Sequence, residues 1–388
     1  MYDFDSVIDR TGSNPVKYDK RKEVFGTEDL LPMWVSDMVF KNPPEVIEEA
    51  KKKCDSGVCW YRYRSWESIV SFIRWTLKRH GWKIKPEWIS SAPGIVTALP
   101  LAIRVFTEKG DKVLIQTPVY PPFFASIKDT ERTLVTNPLI LNNGVYEIDW
   151  NDFETKIKSG VKMFILCSPH NPIGRVWSKE ELSRIGEYCI RYNVIILSDE
   201  IHSDLALFGN KHTPIASISK EISAITLTTT APSKSFNIAG MMNSIIVSSS
   251  EKLLDLYNRE LYTLRLETGN LFAHITMEAA YNYGEKWLEE LIPYLENNIK
   301  FTSDFLQTEL PEITFTMPQA SFLIWLDFRK TGYSHKEVSE RLIKISKLGL
   351  NDGEAFGKDG IGFRRMNLAA PLSVVKEGLE RLKIGFKK

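Results

Sequence analysis

Thr229-Thr230-Ala231-Pro232-Ser233-Lys234-Ser235-Phe236-Asn237-Ile238-Ala239-Gly240 sets one lysine among small hydroxyl and apolar residues. It follows directly on Ile225-Thr226-Leu227-Thr228, an apolar, β-branched run that reads as a strand. A lysine just past a buried strand is stripped of water, and desolvation lowers the pKa of its amine. The free amine is a nucleophile that condenses with aldehydes. Taken alone, the stretch reads more simply as a surface loop carrying an ordinary lysine, so the question is whether the rest of the chain supplies partners.

Working outward, short apolar runs alternate with helical windows from about residue 90. Lys112–Gln116, Leu134–Thr136, Lys162–Cys167, Asn193–Ser198 and Ala224–Thr228 read as strands. Ile95–Phe106, Asp152–Lys158 and Lys179–Tyr192 read as the helices between them. That alternation predicts an α/β fold with a mostly parallel sheet covered on both faces. Residues 251–307 read as almost wholly helical. Ala320–Asp327 and Gly362–Asn367 read as strands, and His335–Ser346 and Ser373–Ile384 as helices. The predicted division is an N-terminal arm and part of the small domain over 1–45, a large domain over 46–284 and a smaller α+β domain over 285–388. Residues 1–30, with turn formers at Thr11-Gly12-Ser13-Asn14-Pro15, read as an arm and not a core element.

Composition narrows the function classes. The 388 residues carry 50 Lys and Arg against 49 Asp and Glu, a net charge of +1 that gives no field for nucleic acid or an acidic membrane. The four cysteines form no CxxC pair and suit a reducing cytoplasm. The acidic start Met1-Tyr-Asp-Phe-Asp-Ser lacks a signal-peptide pattern, and no apolar run approaches the roughly 20 residues of a membrane span. A cytoplasmic protein is expected. Gly353–Asp359 does not match a phosphate-binding P-loop, and no GxGxxG follows an early strand.

Ligands of parallel sheets sit beyond the carboxyl ends of the strands, so those ends carry the argument. Gly94 before Ile95 and Val96 opens a helix whose free N–H groups and dipole suit a phosphate. Tyr120, between Pro118 and Pro121-Pro122, can stack on a planar ring. Asn171, in Pro169-His170-Asn171-Pro172, can donate to a phenolate oxygen. Asp199, ending Ile195-Ile196-Leu197-Ser198, can keep a pyridine nitrogen protonated. Arg364 and Arg365 alternate in direction, so one is expected to point inward as a carboxylate receptor and the other to be surface charge. With Lys234, these parts suit pyridoxal phosphate acting on an amino acid.

The motifs also resemble those of the fold-type I pyridoxal-phosphate enzymes, with the aspartate-aminotransferase-like fold, in the class I/II aminotransferase superfamily. Ser198-Asp-Glu-Ile-His-Ser-Asp-Leu205, Ser168-Pro-His-Asn-Pro-Ile-Gly174, Met33-Trp-Val-Ser-Asp-Met38 and Ser233-Lys-Ser-Phe-Asn-Ile-Ala-Gly240 are similar to those of its cystathionine β-lyase branch, which includes MalY, PatB and cystalysin. The resemblance implies that Lys234 holds the cofactor and moves protons, with Asp199 at the pyridine nitrogen and Asn171 and His202 near the phenolic oxygen. It also implies that Tyr120 stacks on the ring and that Ile95, Val96 and Ser233 bind the phosphate. Arg365 would hold the substrate carboxylate, and Tyr61 would reach the partner subunit's cofactor in a homodimer.

The implied activity is α,β-elimination from a sulfur-containing amino acid, giving pyruvate, ammonia and a thiol. An aminotransferase and a regulatory protein on a retained enzyme fold are the alternatives. Two departures touch substrate choice. Trp60-Tyr61-Arg62 replaces the usual Gly-Tyr-Thr, with Tyr63 a rival for the role of Tyr61, and Met38-Val39-Phe40 replaces Met-Asp-Phe.

Overall fold

The strand Val161–Cys167 shows how the sequence builds the centre of the protein. Met163 and Ile165 face one apolar cluster with Leu99 and Ile103, while Phe164 and Leu166 face another with Phe153, Leu182 and Ile185. A strand apolar on both faces fits only between two layers of helices. Each large side chain so buried contributes roughly 1.5–3 kcal/mol.

The computed structural model describes residues 2–10 and 12–387; Met1 of the acidic start and Thr11 of the predicted turn lie outside them. Seven strands form the large sheet: β1 (Ile89–Ala92), β2 (Lys112–Thr117), β3 (Thr133–Pro138), β4 (Val161–Cys167), β5 (Ile195–Asp199), β6 (Thr226–Thr230) and β7 (Ser244–Val247). Their order is β1-β7-β6-β5-β4-β2-β3, and β7 alone runs antiparallel to both neighbours. The carboxyl ends of β1, β2, β4, β5 and β6 therefore open on one side of the sheet.

Some expectations move. The last strand predicted for the large domain slides from 224–228 to β6, because Ser219 caps a short helix, Lys220–Ala224, that occupies its start. β1, written Ile-Ser-Ser-Ala, and β7 escaped the periodicity, as did the helix Pro121–Asp129 behind its prolines. The predicted run over 251–307 resolves into Glu251–Thr263, Leu271–Tyr283 and Glu285–Glu309, with the side chain of Asn270 capping the second.

Beyond the long helix lies an antiparallel four-stranded sheet, ordered Thr314–Phe315, Leu323–Asp327, Phe363–Asn367, Asn351–Asp352. The N-terminal residues belong with this part. Leu31–Pro32 pairs parallel with Leu348–Gly349, and Phe4, Met33 and Phe40 share one core cluster with Trp287, Leu291 and Phe322. Lys17 is 1% exposed. The expectation that residues 1–30 form no part of the core is thus corrected: the first turns supply both apolar and ionic packing. Among the described residues no helix is long and apolar enough to cross a membrane.

Candidate active site

Eight of the ten predicted site residues line one cavity of about 320 Å³ at the carboxyl ends of the strands. Lys234 sits on a single helical turn, Pro232–Ser235, directly after β6. Its Nζ donates to the Ser36 carbonyl at 2.5 Å and lies 3.2 Å from the Ser36 hydroxyl. Enclosure by protein, reinforced by the Arg365 guanidinium, pulls the amine down to about 8 against the opposing charges of Asp37 and Asp199. A useful fraction is then a free nucleophile near neutral pH.

Asp199 ends β5, and its Oδ1 accepts the Ile201 N–H at 3.2 Å. Burial pushes its carboxyl up to about 7, although that N–H and Lys234 favour the anion. A carboxylate so poised is stabilised by a cation placed against it, such as a protonated ring nitrogen. His202 is driven the other way: burial, then Lys234 and Arg365, lower it to about 3, so it is neutral. Its Nδ1 is buried with no partner among the described residues. Burial raises the Tyr120 phenol, which keeps its proton.

Asn171 is oriented by Arg365, whose Nη1 donates to Asn171 Oδ1 at 3.1 Å. Arginine has only donors, so the amide must turn its oxygen to Arg365, and its NH₂ remains to donate elsewhere in the cavity it lines. Opposite, Gly94 has φ +89° and caps the helix Ile95–Phe106. That conformation needs glycine. The first-turn amides of Ile95 and Val96 have no acceptor within the helix, and with the helix dipole they make an anion site that Ser233 also borders. The set fits pyridoxal phosphate: a near-neutral amine, an acid for the ring nitrogen, an amide donor and a phosphate cup on one cavity.

Arg365 reaches this cavity through Asn171 and is 4% exposed. Its Nη2 donates to the Trp34 carbonyl at 3.2 Å and to Asn351 Oδ1 at 2.7 Å, while its Nε is buried without a partner among the described residues. Arg364 points to the other face, as alternation requires. The expectation that it is surface charge is overturned: it is 2% exposed, with Nη2 on the His335 carbonyl and the Ser339 hydroxyl and 3.4 Å from Asp352. The helix His335–Lys344 covers that face and accepts its donors.

The family model for aminotransferase class I and II matches residues 28–382. The chain belongs to that family. It is 44% identical to "Cystathionine beta-lyase PatB" of Bacillus subtilis over 98% of each chain. Cystalysin from Treponema denticola, solved with a pyridoxal 5′-phosphate cofactor, superposes with a TM-score of 0.96 at 37% identity, covering 99% of this chain and 98% of that one. A pyridoxal-phosphate-bound C–S lyase from Staphylococcus hominis superposes at 0.93 with 33% identity, covering 100% and 99%. The fold is therefore that of the fold-type I class I and II aminotransferases.

Tyr61 stands apart from the other predicted site residues. It is 99% exposed, outside the cavity, in a stretch without regular structure, and Tyr63 beside it is 82% exposed. Sequence reasoning missed Ser36, because the shorter of its two contacts with Lys234 is made by the backbone carbonyl, which leaves no side-chain signal. It also missed Asn237, whose Oδ1 accepts the Met38 N–H at 2.9 Å and whose Nδ2 donates to the Phe40 carbonyl at 3.0 Å. The carboxylate of Asp37 inside the apolar run 31–38 marked the neighbouring segment but neither of these two residues.

Proposed function

We propose that this protein is a pyridoxal-phosphate-dependent carbon–sulfur β-lyase acting on an S-substituted cysteine such as cystathionine. The observation that carries the reading is the meeting of Lys234, Asp199, Asn171 and Arg365 at one cavity. The bound cofactor supplies an electron sink for the charge left when the substrate loses its α-proton. Lys234 Nζ takes that proton, held in place by Ser36. Asp199 would keep the ring nitrogen positive, and Asn171 and His202 would meet the phenolic oxygen. Arg365 would hold the substrate carboxylate, Tyr120 would stack on the cofactor ring, and Ile95, Val96 and Ser233 would bind its phosphate. With the thiolate expelled, cystathionine and one water give homocysteine, pyruvate and ammonia. The lyase names carried by PatB and the Staphylococcus enzyme support elimination over amino transfer.

The working unit is a homodimer in which Tyr61 enters the partner's cavity; its near-complete exposure supports that assignment. The four free thiols suit a reducing cytoplasm. A panel of cysteine S-conjugates scored for thiol release tests the substrate class. Thiol and pyruvate release from the conjugates without any keto acid is expected; amino transfer from alanine or aspartate with no thiol release from the conjugates would refute it.

A further inference from the structure

The segment Trp34–Phe40 is gripped from three directions. From the lysine side, Ser36 accepts Lys234, and Asn237 holds Met38 and Phe40. From the small sheet, Asn367 Nδ2 donates to the carbonyls of Val35 at 2.6 Å and Asp37 at 2.7 Å. From the N-terminal turn Val16–Asp19, Lys17 Nζ donates to the Asp37 carbonyl at 2.9 Å and lies 2.5 Å from Asp37 Oδ1. The Lys17 carbonyl in turn accepts Trp34 Nε1 at 2.9 Å.

A buried ammonium is costly even when paired, and an apolar side chain of the same length would fill the space more cheaply. What Lys17 adds is charge. Asp37 follows the residue that holds Lys234, and Lys17 and Asp37 act on Lys234 with opposite signs. The other charged or titratable groups acting on Lys234 are Arg365 from the strand Phe363–Asn367, Asp199 from β5 and His202 after it. Arg10, 3.3 Å from Asp37 Oδ2, and Tyr18 face the ion pair itself.

We propose that Lys17 and Asp37 are positioning residues, an ion pair between a buried ammonium and a partly exposed carboxylate that fixes the Ser36 carbonyl against Lys234 and sets the pH at which Lys234 releases its proton. This rests on Lys234 being the cofactor lysine. The test is a pH titration of cofactor absorbance in loaded enzyme without substrate, for wild type, Lys17→Met, Lys17→Arg, Asp37→Asn and the double variant Lys17→Met/Asp37→Asn.

Removing the Lys17 charge takes a cation away from Lys234 and leaves Asp37 balanced by Arg10 alone, which favours the protonated state, so K17M raises the midpoint by about 0.5–1.5 pH units. D37N lowers it by a similar amount. K17R and the double variant, in which charge balance is kept, stay near wild type. If D37N does not fold because Lys17 is left unpaired, K17M and the double variant decide the matter. Loss of stability alone moves no midpoint. Midpoints of K17M and the double variant that both coincide with wild type, or single variants that shift in the same direction, overturn the proposal. A wild type whose absorbance persists in Lys234→Ala overturns the underlying assignment instead.

Discussion

Lys234 is held between charges of both signs, and its amine near 8 reflects enclosure first and Arg365 second. Lys234→Ala is expected to abolish the lysine-dependent cofactor absorbance and to lower turnover by at least about 10²–10⁴-fold. Spectra and steady-state rates check this. Arg365→Lys keeps the charge but loses the planar fork, so KM should rise roughly 10–100-fold with a smaller fall in kcat.

Asp199 offers a test on the cofactor-stripped protein. Its native pKa of about 7 lies above its ordinary 3.8. Between those values the native state keeps a proton that the unfolded state has lost, so stability falls as pH rises through that window. Melting curves from pH 4.5 to 7.5 should show wild type losing about 3 kcal/mol relative to Asp199→Asn; a gain would contradict the assigned burial. Legibility at this scale followed side-chain chemistry. Lys234, Asp199 and Asn171 were readable because each is an unusual residue at a strand end. Ser36 was not, because a carbonyl has no letter of its own. Arg364 was misjudged because alternation tells which face a residue points to, not what covers that face.

Among the elements, the helix Trp66–His80 and the turn bearing Lys234 are joined at Asp204. Its Oδ1 lies 2.9 Å from Trp75 Nε1 and 3.0 Å from His80 Nε2, and its Oδ2 accepts the Ser235 hydroxyl at 2.7 Å. Asp204→Ala strands these donors in the interior and should cost about 3–5 kcal/mol in urea unfolding. Lys234, one residue from Ser235, should lose its placement with it, read as lower cofactor occupancy. Periodicity found the strands that are apolar on both faces and the long helices. It missed β1, where serines replace the apolar signal, and it misplaced β6, where a capped helical turn consumes the first residues of an apolar run.

For the whole molecule, we propose the division 1–45, 46–284 and 285–388, with the first segment serving both others. One core cluster runs from Phe4 and Met38 through Trp75 and Phe236 to Phe322 and Leu379, so the parts are coupled by shared packing. No local pattern reveals such coupling, because it joins residues hundreds of positions apart. If Tyr61 serves the partner's site, mixing inactive Lys234→Ala and Tyr61→Ala chains through dissociation and reassociation should restore about a quarter of the wild-type sites, as expected of a two-fold dimer. Acid–base residues shared with aminotransferases leave elimination as the claim most in need of a direct measurement. The loaded enzyme is incubated with cystathionine in the complete absence of any keto acid, and pyruvate, ammonia and homocysteine are followed. The account predicts sustained, equimolar release of all three over many turnovers; amino transfer that stops after one turnover and resumes only when a keto acid is added would contradict it.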